Sequence, residues 1–296
     1  MKSTTRQAIR GSFEKAACTY DDAALLQHEV ARRLDERLDM MKLAPARILD
    51  AGCGTGNAFT LLNARFPKAA LVGLDLAHSM LVQAHKKLPR PSLLGRLFAG
   101  NPAPLACGDM ASLPFAHDSF DLAWSSLALQ WLDDPERVFG EMRRVLRPGG
   151  VLLFATFGPD TLQELRAAFA GLDGYGHVNR FIDMHDLGDA LVHAGFANPV
   201  MEMEHITLTY ADLKGLLRDL KGIGAHTVLG SRREGMMGRR EWQAMIDKYE
   251  AFRRDGRLPA TYEVVYGHAW VGDKSHWEDG RKVIRMKIEQ RQAGLR

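Results

Sequence analysis

The chain reads Ile-Leu-Asp-Ala-Gly-Cys-Gly-Thr-Gly at positions 48–56, an apolar segment followed by three alternating glycines. Glycine has no Cβ and adopts positive φ without strain, so the backbone at Gly52 and Gly54 can approach a ligand closely. A helix that begins directly after such a turn points its N-terminal amides toward the same ligand. The pattern therefore predicts a strand, a ligand-binding turn and a helix, the first unit of an α/β fold.

The spacing of these glycines narrows the type of ligand. A dinucleotide-binding fingerprint requires glycine at position 57, where this chain has Asn57. The G-x-G-x-G spacing is instead typical of methyltransferases that bind S-adenosylmethionine (SAM). A second apolar run at 70–75 ends in Asp75, whose carboxylate can accept hydrogen bonds from both hydroxyls of a ribose. The alternative is that the turn and the acid serve packing alone. The predicted nucleoside site contains Asp50, Gly52, Gly54, Gly56, Asp75 and Leu76.

Apolar runs alternate with segments of helical periodicity along most of the chain. After a polar N-terminal stretch, residues 22–41 have apolar positions at helical spacing. The predicted strands lie near 47–52, 70–75, 104–108, 120–126 and 150–157, and the predicted helices near 57–65, 78–87, 135–146 and 160–170. This alternation indicates a parallel sheet that helices cover on both faces.

Two further predicted strands, near 200–208 and 261–270, enclose a helical, glycine-broken insertion at 211–258. An insertion of this size between two strands is typical of a lid or binding element. We therefore predict a doubly wound, mostly parallel seven-stranded sheet with an N-terminal helix and a helical lid between the last two strands. The predicted division is 1–44 as an N-terminal segment, 45–210 with 259–272 as the core, 211–258 as the lid and 273–296 as a charged tail.

Composition excludes several classes of protein. The longest apolar run, 151–157, is too short to cross a bilayer, and the polar first residues lack the apolar core of a signal peptide. The three cysteines have no metal-binding or paired spacing, so no metal is expected. The net charge is only +3, and no nucleic-acid partner is expected. These features predict a cytoplasmic protein without a membrane partner.

The ends of the third and fourth predicted strands supply further candidates. Asp109 could accept a hydrogen bond from the exocyclic amine of adenine while Met110 packs on the base, or Asp109 could simply cap its turn. Leu127, Gln130 and Trp131 follow the fourth strand. In an open α/β sheet this position lies in the ligand-binding crevice, so a methyl donor would meet its acceptor there.

Two sets of motifs carry a resemblance to a known family. The glycine turn, Leu74-Asp75, Gly-Asp-Met at 108–110, Phe-Asp-Leu at 120–122 and Leu-Arg-Pro-Gly-Gly at 146–150 are similar to class I SAM-dependent methyltransferases over residues 45–160. More narrowly, the chain resembles the malonyl-acyl-carrier-protein O-methyltransferases of biotin synthesis along most of its length. The segments that resemble that family are FEKAACTY at 13–20, LALQW at 127–131, HVNRF at 177–181, LKGIGA at 220–225 and GRLPATY at 256–262.

The resemblance implies a Rossmann-like fold and SAM-dependent esterification of the free carboxylate of a malonyl group. It also implies that Phe13 and Tyr20 belong to a segment that closes over the cofactor, unless they only pack in the core. A carboxylate is already ionised at neutral pH and needs orientation rather than a base. Arg180 and Lys221 are the candidate cations that would bind it. Arg180 could instead cap a helix or pair with Asp183, and Lys221 could be solvated.

The predicted roles are therefore as follows: Tyr20, Arg180 and Lys221 are catalytic, Phe13, Tyr20 and Leu127 join the cofactor site, and Gln130, Trp131, Arg180 and Lys221 bind the substrate. The C-terminal third is basic, because residues 205–296 carry 18 Lys and Arg against 12 Asp and Glu. Arg232, Arg233, Arg239 and Arg240 would dock an acidic acyl carrier protein, or form only a solvated face.

Three alternatives remain open at the level of the sequence. The carrier of the malonyl group could be coenzyme A in place of acyl carrier protein. The same core could also methylate a small carboxylic acid or a quinone ring. A SAM-binding assembly factor without methyl transfer would have the same glycine turn and the same Asp75.

Overall fold

The computed structural model describes residues 2–88, 105–172, 176–225, 238–272, 277–278 and 281–282. The chain begins with three helices, α1 (Lys2–Ala16), α2 (Tyr20–Ala23) and α3 (Leu25–Glu36), and a 3₁₀ turn at Arg37–Met40 follows. The polar N-terminal stretch is thus helical, and the helix expected at 22–41 is shorter than predicted. The proline-rich residues 89–104 lie outside the described residues.

Seven strands form one sheet, as predicted. The strands are β1 (Arg47–Ala51), β2 (Ala70–Asp75), β3 (Leu105–Cys107), β4 (Phe120–Ser126), β5 (Leu146–Phe157), β6 (Ala197–Tyr210) and β7 (Leu258–Trp270). Their order is β3-β2-β1-β4-β5-β7-β6, and β7 runs antiparallel to both of its neighbours while the other pairs are parallel. The ends of β1 to β5 therefore meet at one edge, here called the carboxyl edge. Two short strands, β8 (Trp277–Glu278) and β9 (Arg281–Lys282), pair separately.

Among the residues that the structure describes, seven further helices flank the sheet or join its strands. They are α4 (Asn57–Arg65), α5 (His78–Lys87), α6 (Pro135–Val145), α7 (Gln163–Phe169), α8 (Met184–His193), α9 (Leu213–Gly222) and α10 (Arg239–Glu250). Helix α8 was not predicted; it begins where the Asp183 side chain accepts a hydrogen bond from the amide of His185 at 2.8 Å. Such a side-chain cap satisfies an amide that has no partner within the helix.

Two apolar layers enclose the sheet. On one face, α3, α4, α7, α9 and α10 contribute residues such as Phe59, Leu216 and Tyr249. On the other face, α6 and α8 contribute Phe139 and Leu187. Central strands are buried on both faces because helices cover both sides of a parallel sheet. This double burial accounts for the continuous apolar runs in the sequence.

The described part of the insertion between β6 and β7 contains α9 and α10. The end of α9 lies on the N-terminal helices, where the Ser12 hydroxyl donates to the carbonyl oxygen of Gly224 at 2.7 Å. In α10, the Tyr249 hydroxyl donates to the carbonyl oxygen of Pro259 at 2.8 Å. The proposed lid role of this insertion stays a prediction. Among the described residues, no helix is long and apolar enough to cross a membrane.

Candidate cofactor and acceptor site

The glycine turn adopts the backbone conformation that its sequence predicts. Gly52, Gly54 and Gly56 have φ values of 78°, 52° and 79°. A Cβ on Gly52 would lie 2.4 Å from the Cβ of Ala128, and one on Gly56 would lie 2.8 Å from the ring of Phe59. Any larger residue at these two positions would therefore clash as well as strain the backbone.

Asp75 fixes this turn from the end of the neighbouring strand. One carboxylate oxygen accepts the amide hydrogen of Gly54 at 2.9 Å, and the other accepts that of Ala77 at 2.8 Å. Burial raises the pKa of Asp75 above its ordinary value, although these amide bonds oppose the shift. The side chain also lines the cavity described next. It thus holds the turn and presents its remaining lone pairs to a ligand.

A cavity at the carboxyl edge, here called the nucleoside cavity, brings together most of the predicted cofactor residues. Those that line it are Phe13, Tyr20, Gly52, Gly54, Asp75, Leu76, Asp109, Met110, Leu127 and Trp131. Met80, Val138 and Ile9 add apolar surface that the sequence analysis did not single out. The acids and the apolar side chains of this lining suit a ribose and an aromatic base.

Asp109 occupies this cavity with partners of its own. One oxygen accepts the amide hydrogen of Ala111 at 2.8 Å, as the predicted turn-capping alternative requires. The other oxygen pairs with the Arg6 guanidinium at 2.6 Å. Arg6 also lines the cavity and was missed, because an isolated arginine in a polar N-terminal stretch has no distinguishing pattern.

Helix α1 lies over the nucleoside cavity and is fixed there at several points. The Phe13 and Trp131 rings meet edge to face, with centroids 5.3 Å apart. The Glu14 carboxylate accepts amide hydrogens from His78 and Ser79, at the start of α5, at 2.9 and 2.8 Å. The geometry therefore covers one side of the cavity with an N-terminal helix.

A smaller cavity continues from the nucleoside cavity through Tyr20 and the glycine turn. Three buried polar atoms on residues that line it have no hydrogen-bond partner among the described residues, namely Gln27 Oε1, Asp50 Oδ2 and Trp124 Nε1. Burial and the nearby Asp75 charge raise the pKa of Asp50 to about 8. Leaving such groups unsatisfied costs about 1–3 kcal/mol each, so the cavity is suited to a polar ligand.

The methionyl end of SAM complements these three atoms. The Asp50 and Gln27 oxygens would accept hydrogen bonds from its ammonium group, and the Trp124 N–H would donate to its carboxylate. Gln27 and Trp124 were missed by the sequence analysis because they stand within apolar segments that read as core. The residues present therefore fit SAM at both of its ends.

Tyr20 lines both the nucleoside cavity and the smaller cavity. The next residue, Asp21, is fixed by two polar contacts. The Asp21 carboxylate accepts from the Thr55 hydroxyl at 2.6 Å and pairs with the Lys87 ammonium at 2.8 Å. Burial, with the Asp75 and Asp21 charges, raises the pKa of Tyr20 well above its ordinary value. The Tyr20 phenol is therefore protonated at neutral pH and can donate a hydrogen bond but cannot act as a base.

A third cavity, here called the acceptor cavity, adjoins the nucleoside cavity at Trp131. Gln130 and Arg180, two of the predicted substrate residues, line it, and Thr156 and Asn179 line it in addition. The Gln130 amide donates to the carbonyl oxygen of Leu127 at 2.7 Å, and its oxygen accepts from Thr156 at 3.3 Å. These bonds support Leu127, which has a positive φ of 50° without being glycine.

Comparisons with known proteins agree with this arrangement. A family profile described as "Methyltransferase domain" matches residues 49–154. A malonyl-acyl-carrier-protein O-methyltransferase from Laribacter hongkongensis is 56% identical over 284 residues, 95% of this chain and 95% of the relative. One from Gallionella capsiferriformans is 50% identical over 284 residues, 96% of this chain and 97% of the relative. The chain belongs to the malonyl-acyl-carrier-protein O-methyltransferase family. The predicted SAM-dependent methyltransferase class is thereby confirmed.

Solved structures show the same fold at low sequence identity. The YcgJ protein of Bacillus subtilis has a TM-score of 0.56 at 15% identity and covers 82% of this chain and 99% of its own. Phosphoethanolamine N-methyltransferase 2 of Haemonchus contortus, solved with SAM, has a TM-score of 0.51 at 15% identity and covers 88% of this chain and 57% of its own. These matches confirm the class I methyltransferase fold.

Within this malonyl-acyl-carrier-protein O-methyltransferase family member, the two predicted substrate cations differ in position. Arg180 lines the acceptor cavity and makes no ion pair with any residue that the structure describes. Asp183, its predicted alternative partner, instead contacts the His185 ring at 2.8 Å. Lys221 is exposed near the end of α9 and lines none of the three cavities. The structure therefore brings Arg180 to the site and leaves Lys221 outside it.

The predicted docking arginines are only partly described. Arg239 and Arg240 are exposed at the start of α10, whereas Arg232 and Arg233 lie outside the described residues.

Asp50 and Gly56 also differ from the other cofactor candidates in position. Asp50 lines the smaller cavity, and Gly56 shapes the turn without lining either cofactor cavity.

Proposed function

We propose that this chain transfers the methyl group of SAM to the free carboxylate of a malonyl group on acyl carrier protein, which gives a methyl ester. The family resemblance places this step early in biotin synthesis. The observation that carries the proposal is the Arg180 guanidinium, which has no ion-pair partner in the part of the chain that the structure describes and lies on a cavity that meets the nucleoside cavity at Trp131. A cation there can bind a carboxylate and hold it toward the cofactor.

The reaction requires the protein mainly to position the cofactor and the acceptor carboxylate. When bound, SAM supplies a methyl group on a sulfonium, and an in-line displacement by a carboxylate oxygen needs no proton transfer. The acceptor has a reference pKa of about 4 and is ionised at neutral pH. A general base is therefore unnecessary, in keeping with the protonated Tyr20.

Arg180 would orient the acceptor carboxylate. Its planar guanidinium matches the two carboxylate oxygens and offsets part of their desolvation. Gln130 is held by Leu127 and Thr156, so it supports the cavity wall next to Trp131. The Phe13–Trp131 contact would exclude water from the reacting atoms. Because Lys221 lies outside the cavities, we do not assign it a role with the carboxylate.

The basic surface at the start of α10 would dock the carrier. Arg239 and Arg240 are exposed, and an acidic carrier protein would gain electrostatic attraction there. Arg232 and Arg233 belong to the same basic stretch of sequence. Coenzyme A, which is also anionic, is the alternative carrier.

A direct assay tests the proposal. The purified chain is incubated with SAM and malonyl-acyl carrier protein, and mass spectrometry follows the acyl group. We expect a gain of one methyl group on malonyl and equimolar S-adenosylhomocysteine. Methylation of a small carboxylic acid or quinone without malonyl methylation would overturn the proposal. SAM binding without transfer to any of these acceptors would favour the assembly-factor alternative.

A further inference from the structure

The segment at 176–182, between α7 and α8, is fixed on both sides of its centre. The His177 ring stacks on Phe169, with centroids 3.8 Å apart and planes 8° apart. The Phe181 ring meets Phe157 at 5.7 Å and 70°. These two contacts hold the intervening backbone, so its polar side chains reach the acceptor cavity from a fixed position.

Asn179 is a half-buried polar residue of this segment. Its Oδ1 is inaccessible to solvent and has no hydrogen-bond partner among the described residues, and its side chain lines the acceptor cavity next to that of Arg180. An amide oxygen that is shielded from solvent and has no partner is costly unless a ligand binds the side chain. The two ends of a side-chain amide exchange by rotation about the last bond, so either a donor or an acceptor can face the cavity.

The chemistry of the acceptor determines whether the oxygen or the NH₂ group of the Asn179 amide faces it. A malonyl thioester carries a carboxylate and, one methylene away, a thioester carbonyl, and both groups only accept hydrogen bonds. The charged carboxylate is best matched by the Arg180 guanidinium. The amide N–H of Asn179 is then left for the uncharged carbonyl.

We propose that the Asn179 side-chain amide binds the thioester carbonyl of the acceptor, so that the cavity recognises both ends of the malonyl group. This inference rests on the proposed function. Asn179 takes no part in the bond changes, in which an oxygen–carbon bond forms and the sulfur–carbon bond breaks with its electron pair going to sulfur. It determines specificity, because an acceptor with a carboxylate but no carbonyl leaves the buried amide unpaired.

The test compares two acceptors and one matched variant. The first acceptor is malonyl-acyl carrier protein, and the second is a carrier thioether in which a methylene replaces the thioester carbonyl. We expect Asn179→Leu, which keeps the side-chain size, to lower kcat/KM for malonyl by about 10–100-fold and for the thioether by less than about 3-fold. The KM for SAM should not change. Asn63→Leu, on α4 and outside the three cavities, serves as the control.

Equal losses on both acceptors, or no loss on either, would overturn the inference. If Asn179→Leu melts at a lower temperature than the wild type, Asn179→Asp replaces it, because aspartate has nearly the same shape and cannot donate to a carbonyl. An Asn179→Asp variant with wild-type kcat/KM for malonyl would also refute the inference. A wild-type chain that leaves malonyl unmethylated would instead refute the proposed function.

Discussion

Binding of SAM at pH 7 should release most of one proton from Asp50. The pKa of Asp50 is raised to about 8 by burial and by the Asp75 charge, so the free protein holds this carboxyl about 90% protonated at pH 7. A neighbouring opposite charge lowers a carboxyl pKa by about 1–3 units, and because Asp50 is buried, an ammonium group next to its unpartnered Oδ2 should act in the upper part of this range. A lowering of about 2–3 units leaves the bound carboxyl less than about 10% protonated.

The net proton release is slightly smaller than the difference between the protonated fractions of Asp50 in the free and the SAM-bound protein. The α-amino group of SAM has a reference pKa of about 7.7–8.0 and takes up about 0.1–0.2 proton at pH 7 as it binds in charged form. We therefore expect a net release of about 0.6–0.8 proton per SAM bound. The release should decline toward pH 5, where the bound carboxyl keeps its proton, and toward pH 9, where the free carboxyl has already lost it.

Titration calorimetry in buffers of different ionisation enthalpy measures this quantity, because the slope of binding enthalpy against buffer enthalpy is the number of protons exchanged. Asp50→Asn should abolish the release, whereas Asp22→Asn, at an exposed neighbour of the same N-terminal segment, should leave it intact. A zero slope for the wild type at pH 7 would refute the reasoning. An undiminished slope in Asp50→Asn would show that another group releases the proton.

Three further predictions concern the cofactor, the acceptor and the carrier. Asp75→Ala should weaken SAM binding by about 1–3 kcal/mol, since a buried acceptor that also fixes the glycine turn is lost, and calorimetry on the folded variant would measure it. Arg180→Ala should raise the KM for malonyl, lower kcat, or both, with SAM affinity nearly constant. Arg180→Lys should recover only part of the loss, because lysine keeps the charge but not the planar guanidinium. Lys221→Ala serves as a control outside the cavities. If steady-state kinetics show that Lys221→Ala alone is impaired, Lys221 rather than Arg180 binds the acceptor carboxylate. Arg239→Glu combined with Arg240→Glu should impair the carrier-protein reaction far more than the coenzyme A reaction and should reduce the salt dependence of the carrier-protein reaction. Surface charge mainly steers encounter, over about 8 Å at physiological salt. Equal rates for variant and wild type would leave these arginines as a solvated face.

The sequence by itself determined the order of strands and helices, the glycine turn and the acid at the end of β2. These features are local. Period-two and period-3.6 apolar patterns, glycines with positive φ and prolines near helix ends act over a few residues, so they can be read without knowing the fold. The same is true of the motif segments that carried the family resemblance. Helix α8 was missed although its sequence contains both the Asp183 cap and apolar residues at helical spacing, namely Leu187, Ala190 and Leu191.

Only the tertiary structure decided which side chains meet. Asp50 and Trp124 face one cavity because β1 and β4 pair in parallel register at these two residues, and Gln27 joins them from α3. Arg180 reaches the acceptor cavity while Lys221 does not, although the sequence presents both as cations in family-like segments. Register and helix packing bring together residues that are far apart in the chain, and no local pattern encodes those distances. The unpartnered atoms that match SAM therefore became visible only when the sheet was assembled.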